Sequence, residues 1–378
     1  GFGRHARKTS PCRARPTVNT LHLDLRADWR GGQYQAWLLL RGLVARGHHA
    51  ELLTLRGSQL AARARRSGIP VHEVSGPFAR LRAAAHLRRL LRRETYDLVH
   101  AHEAHAHTAL WLARLSPPPA RIVSRRMVFP PRTNWVSRQK YRHGLDHYIA
   151  ISQHVRQSLP ADANVSVVYD GVELPALPSA EQRQQARVRF GLPKEAVTLA
   201  CLGALEADKG PLATLEALPL IRETLPAHLL IAGEGPLRAQ LGQRMRSLGL
   251  GAAAQLIGYV DDLEAFFAAT DIFLFPAKSE GLGTALLLAM AHQLPVIALK
   301  ATAAAEVIQD AESGRLILSA KPGAIAGAVV YLARHPELAG QLAANARAAI
   351  AQKFTADRMV EETLGVYHHV CATHRRTA

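Results

Sequence analysis

Acidic residues are scarce in this 378-residue chain, where 30 Asp and Glu stand against 47 Lys and Arg. That balance excludes an acidic solvating or disordered chain and points instead to anionic partners. Cysteine is scarcer still. Cys12, Cys201 and Cys371 lie far apart with no CxxC pair, which argues against a disulfide framework or a structural zinc site and fits a reducing compartment. No apolar run approaches the roughly 18 residues of a membrane span. The first twenty residues, GFGRHARKTSPCRARPTVNT, are basic but lack the apolar middle of a secretory signal. Residues 1–18 therefore read as a basic, flexible arm, and the chain as cytoplasmic. Short repeats and low-complexity tracts are missing too. What remains is 48% hydrophobic content over a length sufficient for two domains.

The basic excess is one-sided. Residues 1–176 hold 28 Lys and Arg against 11 Asp and Glu, an excess of 17, while residues 177–378 hold 19 of each. The first half thus presents a positive field suited to phospholipid, a phosphorylated substrate or nucleic acid.

From residue 19 onward, short β-rich runs alternate with helix-length segments. TLHLDL (20–25), AELLTL (50–55), IPVHEV (69–74), YDLVHAH (96–102), ARIVS (120–124) and HYIAIS (147–152) read as strands. YDGVELPALPSAEQ (169–182) interrupts the pattern as a proline-rich linker, after which the alternation restarts. AVTLACLGAL (196–205), AHLLIAGEG (227–235), QLIGYV (255–260), DIFLFP (271–276), LPVIAL (294–299) and RLILS (315–319) form the second set. Strands alternating with helices predict βαβ units, hence two consecutive α/β domains with doubly wound parallel sheets. Ligands in such sheets bind beyond the strand carboxyl ends, so a cleft between the domains is the expected site.

Several second-half loops converge on that edge. GALEADKG (203–210) places Lys209 after a strand, and AGEGPL (232–237) places Gly233 and Glu234 after the next. SEGLGTA (279–285) opens a helix behind Glu280, and TAAAEVI (302–308) carries Glu306. A lysine charge beside helix N-terminal N–H groups suits a diphosphate, and Glu280 and Glu306 are suited to accept from sugar hydroxyls.

The stretch LLIAGEGPLRAQL…LIGYVDDLEAFFAATDIFLFPAKSEGLGTALLLAMAHQLPVIA closely resembles the donor-binding half of retaining, GT-B-fold glycosyltransferases of family 4. LHLDLRADWRGGQYQAWLLLRGLVARGHHAELL resembles their N-terminal glycine loop, and with HYIAISQHV and VVYDGVEL the likeness spans essentially residues 19–370. It implies an acceptor-side domain at 19–172, a nucleotide-sugar domain at 173–355 and a terminal helix, 356–378, returning towards the first domain. By position, Lys209 matches the lysine that contacts the donor diphosphate. Gly281, Leu282, Gly283 and Thr284 match the loop facing phosphate and sugar, and Glu280 the first acid of E-x7-E. Gly31 and Gly32 match the loop that closes over the diphosphate. With Gly233, Glu234 and Glu306 these form the expected donor site, while Lys209, Glu280, Arg126 and His102 are the expected catalytic residues. The resemblance implies a UDP-, GDP- or ADP-sugar as donor, retention of configuration, and neither cofactor nor metal. It points to a lipid-linked or glycan acceptor of the cell envelope, as in lipopolysaccharide or capsule synthesis. Three positions depart from the pattern: Ala204 replaces an arginine, Leu288 the second acid of E-x7-E, and Arg126 a histidine.

Two clusters in the first half have competing readings. VHAHEAHAH (99–107) is a metal cluster lacking a third ligand, an acceptor loop with His102 or Glu103 at the cleft, or a polar strand end capping the next helix. ARLRAAAHLRRLLRRE (79–94) carries six arginines and one acid, and residues 121–142 carry six arginines and a lysine among Phe129, Trp135 and Tyr141. These suit an anionic membrane surface, with the protein peripheral on the inner face of the cytoplasmic membrane, or simply a solvated face; nucleic acid ranks below lipid because no nucleic-acid motif accompanies them. The rival functions are a nucleotide-sugar epimerase or phosphorylase, an impaired relative of the transferases, and a non-enzymatic basic binding protein.

Overall fold

A computed structural model of the chain describes residues 17–114, 118–129, 135–142 and 145–377. The expected arm, apart from Thr17 and Val18, lies outside the described residues, as do Cys12 and part of the basic segment 121–142.

The first half runs β1 (Asn19–Asp24), α1 (Gly31–Ala45), β2 (His49–Leu55), α2 (Gln59–Arg66), β3 (Val71–Val74), α3 (Ala79–Arg93), β4 (Leu98–Ala101) and α4 (Ala104–Ala113). It continues through β5 (Ala120–Arg125), α5 (Trp135–Arg142), β6 (His147–Ala150), α6 (Gln153–Arg156) and β7 (Val165–Val167). The second half runs α7 (Ala180–Arg189), β8 (Val197–Leu202), α8 (Pro211–Arg222), β9 (Ala227–Ala232), α9 (Arg238–Ser247), β10 (Ala254–Gly258) and α10 (Leu263–Ala268). It then forms β11 (Ile272–Phe275), α11 (Thr284–Ala291), β12 (Val296–Leu299), α12 (Ala304–Val307) and β13 (Arg315–Ile317). Three helices, α13 (Pro322–Arg334), α14 (Pro336–Lys353) and α15 (Ala356–Thr377), end the described chain.

Two all-parallel sheets result, in the orders β3-β2-β1-β4-β5-β6-β7 and β10-β9-β8-β11-β12-β13. In each, the winding reverses beside the first strand, between β1 and β4 and between β8 and β11. The crevice beyond the strand carboxyl ends at such a switch point is where doubly wound sheets hold ligands. Strand β7, three half-buried residues at the sheet edge, was not among the expected strands. The run expected as 196–205 ends as a strand at Leu202, and Gly203, whose N–H still meets Ala232 O at 3.0 Å, begins the turn towards Lys209.

The halves are joined twice, and the two connections meet. Val172 N–H donates to Phe354 O and Ala356 N–H to Val172 O, both at 2.9 Å. Gly171 makes this crossing possible, since a Cβ there would lie 2.2 Å from Thr355 O. Beyond the crossing, α15 packs on the first half: Met359, Val360, Leu364, Tyr367 and Val370 share a buried cluster with Leu39, Leu40 and Leu43 of α1. Gly42 admits Val360, whose Cγ2 would sit 2.5 Å from a Cβ at that position.

Candidate active site

On the second half, the turn after β8 ends in Lys209, whose Nζ donates to Ser279 O at 2.8 Å and Glu280 Oε2 at 2.9 Å and lies 3.3 Å from Asp208 Oδ2. Burial disfavours its charge, but Glu280 and Asp208 outweigh that and raise its pKa. Gly210 next to it has φ +75°, and a Cβ there would fall 2.8 Å from Pro276 O, so only glycine fits the turn. The loop after β11 is equally tight, because a Cβ on Gly283, at φ +100°, would meet the Phe275 ring at 2.7 Å. Helix α11 starts at Thr284 without a side-chain cap, so its first amides are available to an anion. Its interior is buried and apolar, Leu288 included.

The first half supplies the opposite wall. A Cβ on Gly31 would lie 2.6 Å from Thr284 Oγ1, and one on Gly281 would lie 2.3 Å from Arg126 O. A Cβ on Gly32 would touch Arg126 Cδ at 3.4 Å. Glycines on both sides therefore let the two glycine loops close to backbone contact around Arg126. The Arg126 guanidinium pairs with Asp170, while its buried Nε has no hydrogen-bond partner. Asp170 is buried, and burial raises its pKa although Arg126 opposes the rise.

Of the expected donor residues, Lys209, Glu280 and the 281–284 loop are together at the cleft. Gly233 follows β9 against Gly203, where a Cβ would lie 1.8 Å from Gly203 O, with its N–H on Gly258 O at 2.7 Å, and exposed Glu234 pairs with Arg238 at 3.3 Å. Glu306 is turned elsewhere. Its carboxylate accepts the Gln153 and His154 N–H groups at 2.8 and 2.7 Å and the Tyr169 hydroxyl at 3.0 Å, all from the first half. The reason is electrostatic: the start of α6 leaves amides unpaired, and an anion satisfies them better than solvent.

His102 is not on an exposed acceptor loop either; it is 1% exposed. The third imidazole that the strand pattern lacked is His22 on β1, so His22, His100 and His102 have ring nitrogens within 4.8 Å of one another. Hydrogen bonds already occupy this set. Thr20 Oγ1 donates to His49 O at 3.0 Å, so it must accept from His22 Nε2 at 3.0 Å. His22 Nδ1 is then an acceptor and receives His102 Nε2–H at 2.9 Å. His100 bonds Ser124 Oγ at 2.9 Å and the Tyr367 hydroxyl at 2.6 Å. Only His102 Nδ1 is left over. Burial keeps all three rings neutral, lowering His22 to about 3 and His100 and His102 well below the usual histidine value. The arrangement is a ladder of two hydrogen-bonded sets, Tyr367–His100–Ser124 starting from α15 and Thr20–His22–His102 beside it, which meet through the His100 and His102 rings, 4.2 Å apart. Glu103 caps α4, accepting its first amides and the Leu25 N–H at 3.2 Å.

Sequence reasoning missed Asp24 and Asp170. Asp24 ends β1, accepts Gln33 Nε2–H at 2.9 Å, and is raised to about 7, first by burial and then by Glu103. The signal was legible in TLHLDL, where Thr20, His22 and Asp24 alternate on a strand expected to be apolar on both faces. Nothing local marked Asp170, whose partner lies 44 residues earlier.

Two doubly wound sheets facing each other across paired glycine loops, with a lysine and a free helix start on one side and an arginine on the other, define a two-domain α/β protein whose cleft suits an anionic ligand. The family described as glycosyl transferases group 1 matches residues 182–349, and glycosyltransferase family 4 matches residues 29–175. The chain belongs to the GT-B-fold glycosyltransferases of family 4. It is 24% identical over 360 residues to the uncharacterized glycosyltransferase MJ1607 of Methanocaldococcus jannaschii, covering 87% of this chain and 92% of that one. It is 31% identical over 226 residues to the D-inositol 3-phosphate glycosyltransferase of Acidothermus cellulolyticus, covering 57% of this chain but only half of that relative. Among solved structures, HepE of Anabaena in complex with UDP and glucose superposes with a TM-score of 0.83 at 18% identity, over 93% of this chain and all of that one.

Proposed function

We propose that the protein transfers a sugar, with retention of configuration, from a nucleotide-sugar donor to a lipid-linked or glycan acceptor of the cell envelope. The observation that carries this reading is the convergence of Lys209, the start of α11 and Arg126 on one point of the cleft. Without a ligand, Glu280 and Asp208 hold the lysine charge. An entering diphosphate takes over Lys209 and the 281–284 amides, which releases Glu280 to accept from sugar hydroxyls. As the sugar–phosphate bond breaks, negative charge grows on the leaving diphosphate, and these cationic and dipolar groups stabilise it without reorganising. Arg126, reaching in from the first half, supplies the charge missing at Ala204, so the reading calls for no metal ion. Leu288 leaves the donor ribose without a carboxylate partner. UDP in the HepE structure is in keeping with a nucleoside diphosphate in such a cleft.

The acceptor belongs to the basic first half. Helix α3 buries Ala83, Ala84, Leu87 and Leu90 and turns Arg80, Arg82, Arg89, Arg92 and Arg93 outward beside exposed Phe78 and Leu81. An apolar edge within a cationic face suits anionic lipid, which supports a peripheral position at the inner face of the membrane. No helix among the described residues is long and apolar enough to cross a membrane. The test is a thermal-shift screen of nucleoside diphosphates and nucleotide sugars, followed by product analysis with the stabilising donor, with and without acceptor. A midpoint raised by one nucleotide series, with acceptor-dependent transfer, supports the reading. Conversion of the donor without acceptor selects the epimerase instead.

A further inference from the structure

Glu306 joins the two halves where its neighbours need an anion. Gln153 and His154 open α6, directly after β6 of the first sheet, and their N–H groups have no acceptor within so short a helix. The Glu306 carboxylate, on α12 of the second half, provides one oxygen to each, and the Tyr169 hydroxyl adds a third bond. A second bond crosses at the same turn. Ser152, the N-cap of α6, accepts Val155 N–H at 3.0 Å and donates its own hydroxyl hydrogen to Gly281 O at 2.5 Å. The donor loop and the acidic clasp therefore grip the same turn of the first half, and both contacts exist only when the halves are together.

We propose that Glu306 is a positioning residue for transfer: by capping α6 across the cleft it holds the halves closed and, with the Ser152–Gly281 bond, sets the 281–284 loop, rather than binding the donor sugar. Closure and nucleotide binding are then coupled reciprocally, because each favours the same arrangement. The kinetic part of this inference rests on the transferase reading; the closure part does not.

The test compares wild type, Glu306→Ala and Tyr169→Phe, each carrying one fluorophore on either half, by energy transfer with no ligand and with UDP. Circular dichroism verifies that each variant is folded. Glu306→Ala is expected to shift the ligand-free population to the open form by about tenfold or more, the weight of charge-assisted hydrogen bonds. Tyr169→Phe, keeping both amide bonds, is expected to shift it less, in the same direction. UDP and UDP-glucose affinities, by calorimetry, should fall by one common factor in Glu306→Ala. Unchanged energy transfer in the folded variant overturns the clasp. So does a loss confined to UDP-glucose with UDP untouched, which would return Glu306 to the sugar. A wild type that binds no nucleotide of any base defeats the transferase reading while the ligand-free comparison still decides the clasp.

Discussion

The two sheets wind alike, yet β1, β4 and the residue after β4 bury Thr20, His22, Asp24, His100 and His102, where β8, β9, β11 and β12 bury Leu199, Leu229, Leu230, Ile231, Phe273, Leu274 and Ile297 with only Thr198 and His228 as polar exceptions. Sheets covered by helices on both faces normally carry near-continuous apolar strands, and the second sheet comes closer to that. The first does not, because its buried face holds the Tyr367–His100 and His22–His102 bonds, joined by ring contact, with Asp24 at the end of β1 bonded to Gln33. The contrast extends to charge, because the excess of 17 positive charges lies wholly in the sequence of the first half. An apolar frame suits the half that must hold a loop to fractions of an ångström. A polar interior makes the other half dependent on pH and on the docking of α15.

The largest expected effect falls on the apolar half. Lys209→Ala should lower transfer about 10²- to 10³-fold, as loss of one preorganised donor to a developing anion does. The fold should survive, because the lysine and its partners are only part-buried. Initial rates and a melting curve check both statements. Undiminished transfer would remove the charge-stabilising role from that half.

On the polar half, Asp24 makes stability fall as pH rises. Its folded-state pKa of about 7 lies above the unfolded value, so its contribution is complete below about pH 4 and lost as pH climbs through 7. At about 1.4 kcal/mol per unit the cost at pH 8 is roughly 2–4 kcal/mol. Asp24→Asn should relieve it, raising the melting temperature more at pH 8 than at pH 5. Hydrogen exchange should slow in β1 and β4 but not in β8 and β9. Equal gains at both pH values would show that the carboxyl is not a buried acid.

Charge on the first half sets the next effect. Neutralising Arg89, Arg92 and Arg93 together should weaken co-sedimentation with phosphatidylserine vesicles about a hundredfold, at roughly 1 kcal/mol per arginine near the surface, and the loss should shrink in high salt. Arg88 is left out because its guanidinium caps the end of α4 on Leu112 O and Ala113 O. Equal sedimentation of both proteins would reduce α3 to a solvated face.

Most of the fold was legible because strand and helix periods are local. Every expected strand has a counterpart within a few residues, and only the edge strand β7 was not expected. The cleft loops were legible for the same reason, since glycines at strand ends mark sharp turns wherever they occur. The side-chain pairings were not. Glu306 meets Gln153 at a separation of 153 residues and His102 meets His22 at 80. No local pattern states which buried donor an acidic or imidazole side chain will find. The alternation of Thr20, His22 and Asp24 was the one local trace of the ladder.

The smallest expected effect tests whether that ladder secures α15. Tyr367 is fully buried and its hydroxyl meets His100 at 2.6 Å. Tyr367→Phe keeps the ring among Leu39, Leu40 and Leu43 and removes only this bond. Leaving one buried imidazole nitrogen unsatisfied costs about 1–2 kcal/mol, a shift of a few degrees in melting temperature. If the ladder is a tether, the loss appears as faster exchange along α15 and β4, while β8 and β11 stay protected. Uniform acceleration in both sheets would mean that the halves unfold as one and that the difference between their interiors carries no separate stability.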